Sequence, residues 1–320
     1  MNLTELHARR RMGRKITGMA AMLLPFTEAG EIAEDAYVSC FQDTLAAGMT
    51  PAVNMDTGYV NLLSDSERKR VLRLAQEAAN GAPFVAGTFI EDKVLAGSGE
   101  NVADLYRREV AQIAEHGGTP ILFQTSRLHT GVASPSAGIA ACDRATQDVP
   151  TAYAFELGKM FAPFGEIWPD EVFEGILGLP QFKGAKHSSL DRMHEIKRLE
   201  MRDYVRPDFQ ILTGNDLGID MIEYGSDYLL GLAAFSPEKF AERDRLWEAG
   251  DTNYLAVADA LQFLGNVAFR PPVPAYKHSA ATFLHLTGKI PTSRTHLRSP
   301  ERPPWEREIL TACAERLGLL

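Results

Sequence analysis

The sequence predicts an α/β protein, a closed (β/α)8 TIM barrel with a C-terminal helical extension. Three observations carry the prediction. Eight short apolar runs recur along the 320-residue chain, and the segments between them carry helical periodicity. After the eighth pair, the pattern changes to helices separated by proline clusters. Strands alternating with helices argue for a parallel sheet. Eight such pairs argue for a closed barrel, whose usual size is about 250 residues.

In order, the strand runs are Gly18–Leu24, Pro51–Met55, Phe84–Phe89, Ile121–Gln124, Thr151–Phe155, Phe182–Lys186, Phe209–Thr213 and Tyr228–Ala233. Between the second and third, Ser64–Asn80 reads as a helix. Val71, Leu72 and Ala75 are its apolar positions, and Ser64-Asp65-Ser66-Glu67 has the form of a capping box. Val102–His116 is a second helix, with Leu105, Val110 and Ile113 on one side and Gly117-Gly118 as its stop. The barrel closes near Arg245, so residues 1–245 are assigned to it and 246–320 to a helical appendage packed on it. Helix patterns at Asn253–Val267, Tyr276–Leu286 and Pro304–Leu317 make up the appendage, with prolines at 271, 272, 274, 300, 303 and 304 between them.

Composition narrows the function. The chain is 45% hydrophobic and 23% charged with a net charge of −9, and no basic stripe suits it to nucleic acid. The cluster Arg9-Arg10-Arg11 with Arg14 and Lys15 precedes an apolar stretch broken by Pro25, so it reads as the lead-in to a strand rather than a targeting segment. No apolar run is long enough to span a bilayer. Cys40, Cys142 and Cys313 are odd in number and far apart, which fits a reducing cytoplasm and argues against a disulfide framework.

In such barrels the chemistry lies at the C-terminal ends of strands. Strand two ends in Asp56-Thr57-Gly58-Tyr59, strand four in Gln124-Thr125-Ser126-Arg127 with His129 close behind, and strand seven in Thr213-Gly214-Asn215-Asp216. Strand five carries Tyr153 and Glu156, and strand six carries Lys186-His187-Ser188-Ser189. Lys183 and Lys186 are three apart and so point opposite ways along an extended strand. Lys186 follows the small residues Gly184-Ala185, which leave space around an amine. A lysine in a partly dry pocket loses its proton more easily, and the neutral amine can attack a carbonyl. Other readings stand beside this one. Asp56, Glu156 and Asp216 with His129 or His187 make a donor set for a divalent metal, but no pair has a recognised ligand spacing, and no metal is expected. Gly214 is a weak signal for a phosphate turn, Asp56-Thr57-Gly58 also reads as a turn that caps the next segment, and Gly97 with Gly99 lacks the dinucleotide pattern.

An ordered set of landmarks resembles the dihydrodipicolinate synthase / N-acetylneuraminate lyase superfamily of class I, Schiff-base aldolases, as a divergent member. The landmarks are Met22-Leu23-Leu24-Pro25-Phe26 with Gly30-Glu31-Ile32, Asp56-Thr57-Gly58-Tyr59 with Leu63-Ser64-Asp65-Ser66-Glu67-Arg68, Gly184-Ala185-Lys186, Leu212-Thr213-Gly214-Asn215-Asp216, and Pro272-Val273-Pro274-Ala275-Tyr276-Lys277. The resemblance implies imine chemistry on a keto acid or another carbonyl compound, Lys186 as nucleophile, no metal or organic cofactor, and a homo-oligomer, dimer or tetramer. It also implies a relaying tyrosine on strand five. Spacing from Pro150 puts that position at Ala154, and Tyr153, one residue away, fills the role only if the strand register shifts. Asp56 stands where the family has a hydroxyl facing the substrate carboxylate, and Arg127 and Leu128 stand where synthases have tyrosines. This rearranged charge points to a polyhydroxylated or amino-bearing carbonyl compound. The expected site is Lys186 and Tyr153 for catalysis, with Asp56, Thr57, Gly58, Arg127, His129, Ser188, Gly214 and Asn215 for substrate. The expected reaction is cleavage, condensation or dehydration. The alternative is a barrel diverged from catalysis that binds or senses a small molecule, in which Lys186 would anchor the ligand and keep a high pKa.

Overall fold

The computed structural model describes residues 3–91, 94, 97–123, 128 and 134–320. Eight strands close into one parallel barrel: β1 (Gly18–Ala21), β2 (Thr50–Val53), β3 (Val85–Thr88), β4 (Thr119–Leu122), β5 (Ala152–Leu157), β6 (Phe182–Ser188), β7 (Gln210–Thr213) and β8 (Asp227–Leu230). Each pairs with its neighbour in sequence, and β8 pairs back onto β1 with Gly18 beside Tyr228. Outside them lie α1 (Leu3–Ala8), α2 (Glu34–Ala46), α3 (Asp65–Ala79), α4 (Val102–Glu115), α5 (Pro135–Thr146), α6 (Asp170–Leu177), α7 (Arg192–Val205) and α8 (Pro237–Glu248). Then follow α9 (Tyr254–Ala268), α10 (Tyr276–Leu286) and α11 (Glu306–Arg316). Arg245 lies in the last turn of α8.

The local signals act as their chemistry requires. Ser64 Oγ accepts the Glu67 amide, and Glu67 Oε2 accepts the Ser64 amide at 2.7 Å. Such a cap contributes about 1 kcal/mol to the start of α3. The strands are buried on both faces, as parallel strands covered by helices must be. Phe155 and Leu212 pack in one core cluster with Phe123, while Ala154 and Ala185 pack in another with Phe173, Ile196 and Leu199 from the helices. Each such large apolar side chain contributes about 1.5–3 kcal/mol on burial.

One irregularity sets the site. Along β5 and β6, Ala152 pairs with Phe182 but Tyr153 pairs with Gly184, so Lys183 is an extra residue on β6. Beyond this bulge, Phe155 pairs with Lys186 and Glu156 with His187. Lys183 is exposed, whereas Lys186 is buried.

Behind β5 and β6 lies a buried polar cluster. Glu156 accepts from both Arg198 Nε and Nη2, at 3.0 and 2.8 Å, from the Trp168 amide at 3.0 Å, and pairs with His187 Nδ1 at 2.7 Å. Burial alone would raise this carboxyl, but His187 and Arg198 hold it down at about 2. His187 Nε2 meets Ser189 Oγ at 2.7 Å. The cluster ties the ends of both strands to α7 and fixes the register that Lys186 depends on.

Candidate active site

Lys186 stands at the C-terminal end of β6 with 8% of its surface exposed. Its Nζ lies 4.6 Å from the centroid of the Phe155 ring. Burial pulls its amine from 10.5 down to about 8, and the nearby carboxylates Asp216 and Asp56 oppose a further fall. The space for its side chain comes from Gly214. A Cβ there would meet Lys186 Cε at 2.6 Å and Ser188 Oγ at 1.9 Å. Ser188 Oγ is buried and has no hydrogen-bond partner among the described residues. A buried hydroxyl left unpaired is a group awaiting one, because its desolvation is otherwise uncompensated.

Asp216 follows β7 and is 4% exposed. Its Oδ1 accepts the Leu232 amide at 2.7 Å. Burial pushes its carboxyl up to about 7, against the pull of the Leu232 and Gly231 amides and of Lys186. An amine near 8 and a carboxyl near 7 thus share one desolvated pocket.

On the opposite side, the strand-two turn Asp56–Gly58 meets the C-terminal helices. Asp56 Oδ2 accepts from Lys277 Nζ and from the Tyr276 hydroxyl, both at 2.9 Å. Tyr276 Oη also lies 2.9 Å from Thr57 Oγ1. Lys277 and Asp56 are 4% and 9% exposed, so this ion pair is buried and each charge depends on the other. The Tyr276 ring stacks on Phe269 with centroids 4.3 Å apart. Gly231 closes the gap at the end of β8, since a Cβ there would lie within 3.3 Å of Phe269, Thr57 and Tyr276.

The expected residues therefore divide. Lys186, Ser188, Asp56, Thr57, Gly58 and Gly214 lie at strand ends or turns at the C-terminal mouth. Asn215 belongs to the same turn, but its Oδ1 accepts the Leu217 amide and so serves the turn itself. Arg127 and His129 lie outside the described residues. Tyr153 is a correction. Its hydroxyl donates to Gln210 Oε1 at 3.0 Å, and it lines a cavity of about 640 Å³ with Thr17, Thr50 and Lys183 at the strand starts, the opposite mouth. The register does shift, but the extra residue on β6 brings Phe155, not Tyr153, beside Lys186. Asp56 is also not free to face substrate alone, because Lys277 neutralises it. The donor set weighed for a metal is dispersed: Glu156 and His187 are joined behind the barrel wall, and no group of three or more His, Cys, Asp or Glu suited to a metal forms among the described residues. No described helix is long and apolar enough to cross a membrane.

No family model matches the sequence, and no curated protein matches it. Solved structures do. A dihydrodipicolinate synthase from Thermotoga maritima is 18% identical, aligns over 96% of this chain and 99% of its own, and has a TM-score of 0.76. The fold is that of the dihydrodipicolinate synthases. The Aquifex aeolicus synthase is 19% identical over 95% of this chain and 98% of its own, with a TM-score of 0.74. A prophage protein of the same family from E. coli K12, solved in complex with pyruvate, is 14% identical over 95% of this chain and 99% of its own, with a TM-score of 0.77. Within this synthase fold, the residues that sequence reasoning did not assign to the site are Phe155, Asp216, Tyr276 and Lys277. Asp216 was visible as a carboxylate at a strand end. Tyr276 and Lys277 stood in a landmark of the resemblance and at a helix start, with no sign of a place in the site.

Proposed function

We propose that this protein is a Schiff-base-forming lyase of the aldolase type, acting on a small keto acid or polyhydroxylated carbonyl compound through Lys186. The observation that carries the proposal is the buried amine of Lys186 at the C-terminal mouth, drawn down to about 8. A ligand anchor on a diverged binding protein would keep its amine near the ordinary value, so the lowered amine favours the enzyme reading. The similarity to a family member solved with pyruvate supports a keto acid as the substrate class.

The chemistry follows from the pair of groups. The neutral Lys186 amine adds to the substrate carbonyl carbon, and the carbonyl oxygen takes up the proton that the nitrogen loses. The C–O bond of this carbinolamine then breaks as the nitrogen lone pair forms the iminium. Protonated Asp216 gives its proton to the departing oxygen, which leaves as water, and the Asp216 carboxylate remains as counter-ion to the iminium. The iminium withdraws electrons from the adjacent carbon and stabilises the carbanion formed on cleavage or proton removal. Ser188 Oγ supplies an unused hydrogen bond to the bound compound. Lys277 offsets the charge of Asp56, so a substrate carboxylate is not repelled from this side.

The test is reduction with borohydride in the presence of pyruvate, 2-oxobutyrate and hydroxypyruvate, followed by intact mass and peptide mapping. The expected result is one adduct per chain at Lys186. No adduct with any of the three would refute the Schiff-base reading for this substrate class.

A further inference from the structure

We propose that the cavity at the N-terminal mouth of the barrel is a second binding site, which takes a small hydroxylated carboxylate of sugar-acid size on Lys183, Tyr153 and Gln210. The inference stands apart from the Schiff-base reading, because it uses neither Lys186 nor the pocket around it.

Lys183, Tyr153 and Gln210 line one cavity of about 640 Å³. Small-molecule sites usually measure about 300–1,000 Å³. The catalytic mouth lies elsewhere. Lys183 precedes Lys186 by three residues of strand, about 10 Å. Phe155 and Leu212, the neighbours of Lys186 on β5 and β7, pack in one cluster with Phe123, so apolar side chains lie between the two mouths.

The polar groups of the cavity are held in place before any ligand arrives. Tyr153 is 8% exposed, and its hydroxyl donates its single proton to Gln210 Oε1 at 3.0 Å. Gln210 Nε2 donates to Asp227 Oδ2 at 3.1 Å. Asp227 Oδ1 accepts from Arg14 Nη1 at 2.7 Å and from the Thr17 amide at 3.0 Å, which anchors the line. The Tyr153 oxygen therefore keeps open lone pairs, and Gln210 Nε2 keeps its second proton. An acceptor beside a donor suits a hydroxyl group, which can serve both. Thr50, Thr119 and Thr151 line the same space from the starts of strands, and their side chains also donate and accept.

The charge comes from the β6 bulge. Lys183 is the extra residue there, exposed, and joined to no carboxylate among the described residues. A bulge gives up ladder pairing and re-aims a side chain. The other lining charges answer each other: Arg206 Nε lies 3.6 Å from Asp208 Oδ1, and Arg206 Nη1 donates to the Leu177 and Leu179 carbonyls. Lys183 is left as one unmatched positive charge. One ammonium matches one carboxylate, whereas a phosphate ester brings a charge of about −1.5 to −2.

The experiment is calorimetric titration of the full-length protein with D-glycerate, L-threonate and D-gluconate, with sorbitol and glucose 6-phosphate as controls. At least one of the three acids should bind once per chain with a Kd of about 1 mM or tighter. Sorbitol should bind at least about tenfold more weakly. Lys183→Gln should weaken the acid about 10- to 100-fold, the loss of a charged hydrogen bond. Tyr153→Phe should weaken it less, and Lys186→Met should leave it within threefold of the parent. No binding by any of the three acids would overturn the site, as would unchanged affinity in Lys183→Gln. Loss of binding in Lys186→Met would place the acid at the catalytic mouth and overturn it equally. Tighter binding of glucose 6-phosphate than of every acid would refute the carboxylate assignment. Lys183 is exposed, so the Lys183→Gln result decides even if Tyr153→Phe does not fold. Failure to trap an adduct at Lys186 refutes the Schiff-base reading and leaves this site standing.

Discussion

Replacing the proposed nucleophile should make the protein more stable. In Lys186→Met, an apolar side chain of similar length takes the place of an amine that burial holds at about 8 instead of 10.5. The unfolded chain binds that proton more tightly than the folded one, so stability rises with pH across the window between these values. The cost of burying Lys186 is complete below about pH 8 and gone above about 10.5. At about 1.4 kcal/mol per pKa unit, the full cost is about 3.5 kcal/mol. With an unfolding entropy of about 2.1 cal/mol/K per residue, that corresponds to a rise of about 5 °C in Tm. Calorimetry at pH 6.5 should show nearly the whole difference, and at pH 9.5 the gain should shrink to about 1.5 kcal/mol. A variant no more stable than the parent at pH 6.5, or a gap that does not narrow at pH 9.5, would refute the claim that desolvation lowers this amine.

Other variants probe the surrounding groups. Adduct formation by the parent protein should follow a bell-shaped pH profile with apparent limbs near 7 and 8, which belong to the Asp216–Lys186 pair as a unit. Asp216→Asn should replace the bell with a single rise at or below about 8, read from borohydride-trapping rates. Gly214→Ala places a carbon 2.6 Å from Lys186 Cε; trapping should slow about 100-fold, because small displacements of a reacting group are that costly. Glu156→Gln leaves the buried Arg198 with only the half-exposed Asp170 as its carboxylate partner, a loss of about 3 kcal/mol in urea unfolding at pH 7. Glu156 contributes that stability above its unfolded value of 4.5 and loses it as pH falls toward about 2, so the difference from the parent should vanish across that window.

The barrel was legible because its signal is repeated. Each strand run is short and apolar, each is followed by helical periodicity or a turn, and one misread boundary leaves the count intact. The place of Lys186, buried at the end of β6, was legible for a local reason, namely small neighbours at the end of an apolar run. Tyr153 was not, because strand alternation assumes one residue per step. The extra residue at Lys183 breaks that assumption on the partner strand, where spacing from Pro150 cannot register it. Asp56 was recognised as unusual, but its partners were out of reach of any pattern. Lys277 is 221 residues further along the chain, and nothing near either residue announces the pairing. A buried carboxylate in a sequence says only that a donor exists somewhere, and the fold decides which.

The distance between Asp56 and Lys277 also has a consequence for vectorial synthesis. At about 5–20 residues per second, roughly 10–45 s pass between the emergence of residue 56 from the ribosome and that of residue 277. The remaining six strands, β3 to β8, are made in that interval, before Lys277 exists to pair with the Asp56 carboxylate. The barrel wall can assemble, but one side of its mouth stays wet until α10 docks. Only then do water expulsion, the buried ion pair and the ordered hydroxyl line arrive together. A closed, dry mouth is therefore acquired only with the last helices, and a nascent barrel halted before residue 276 should be folded in outline yet open to water on that side.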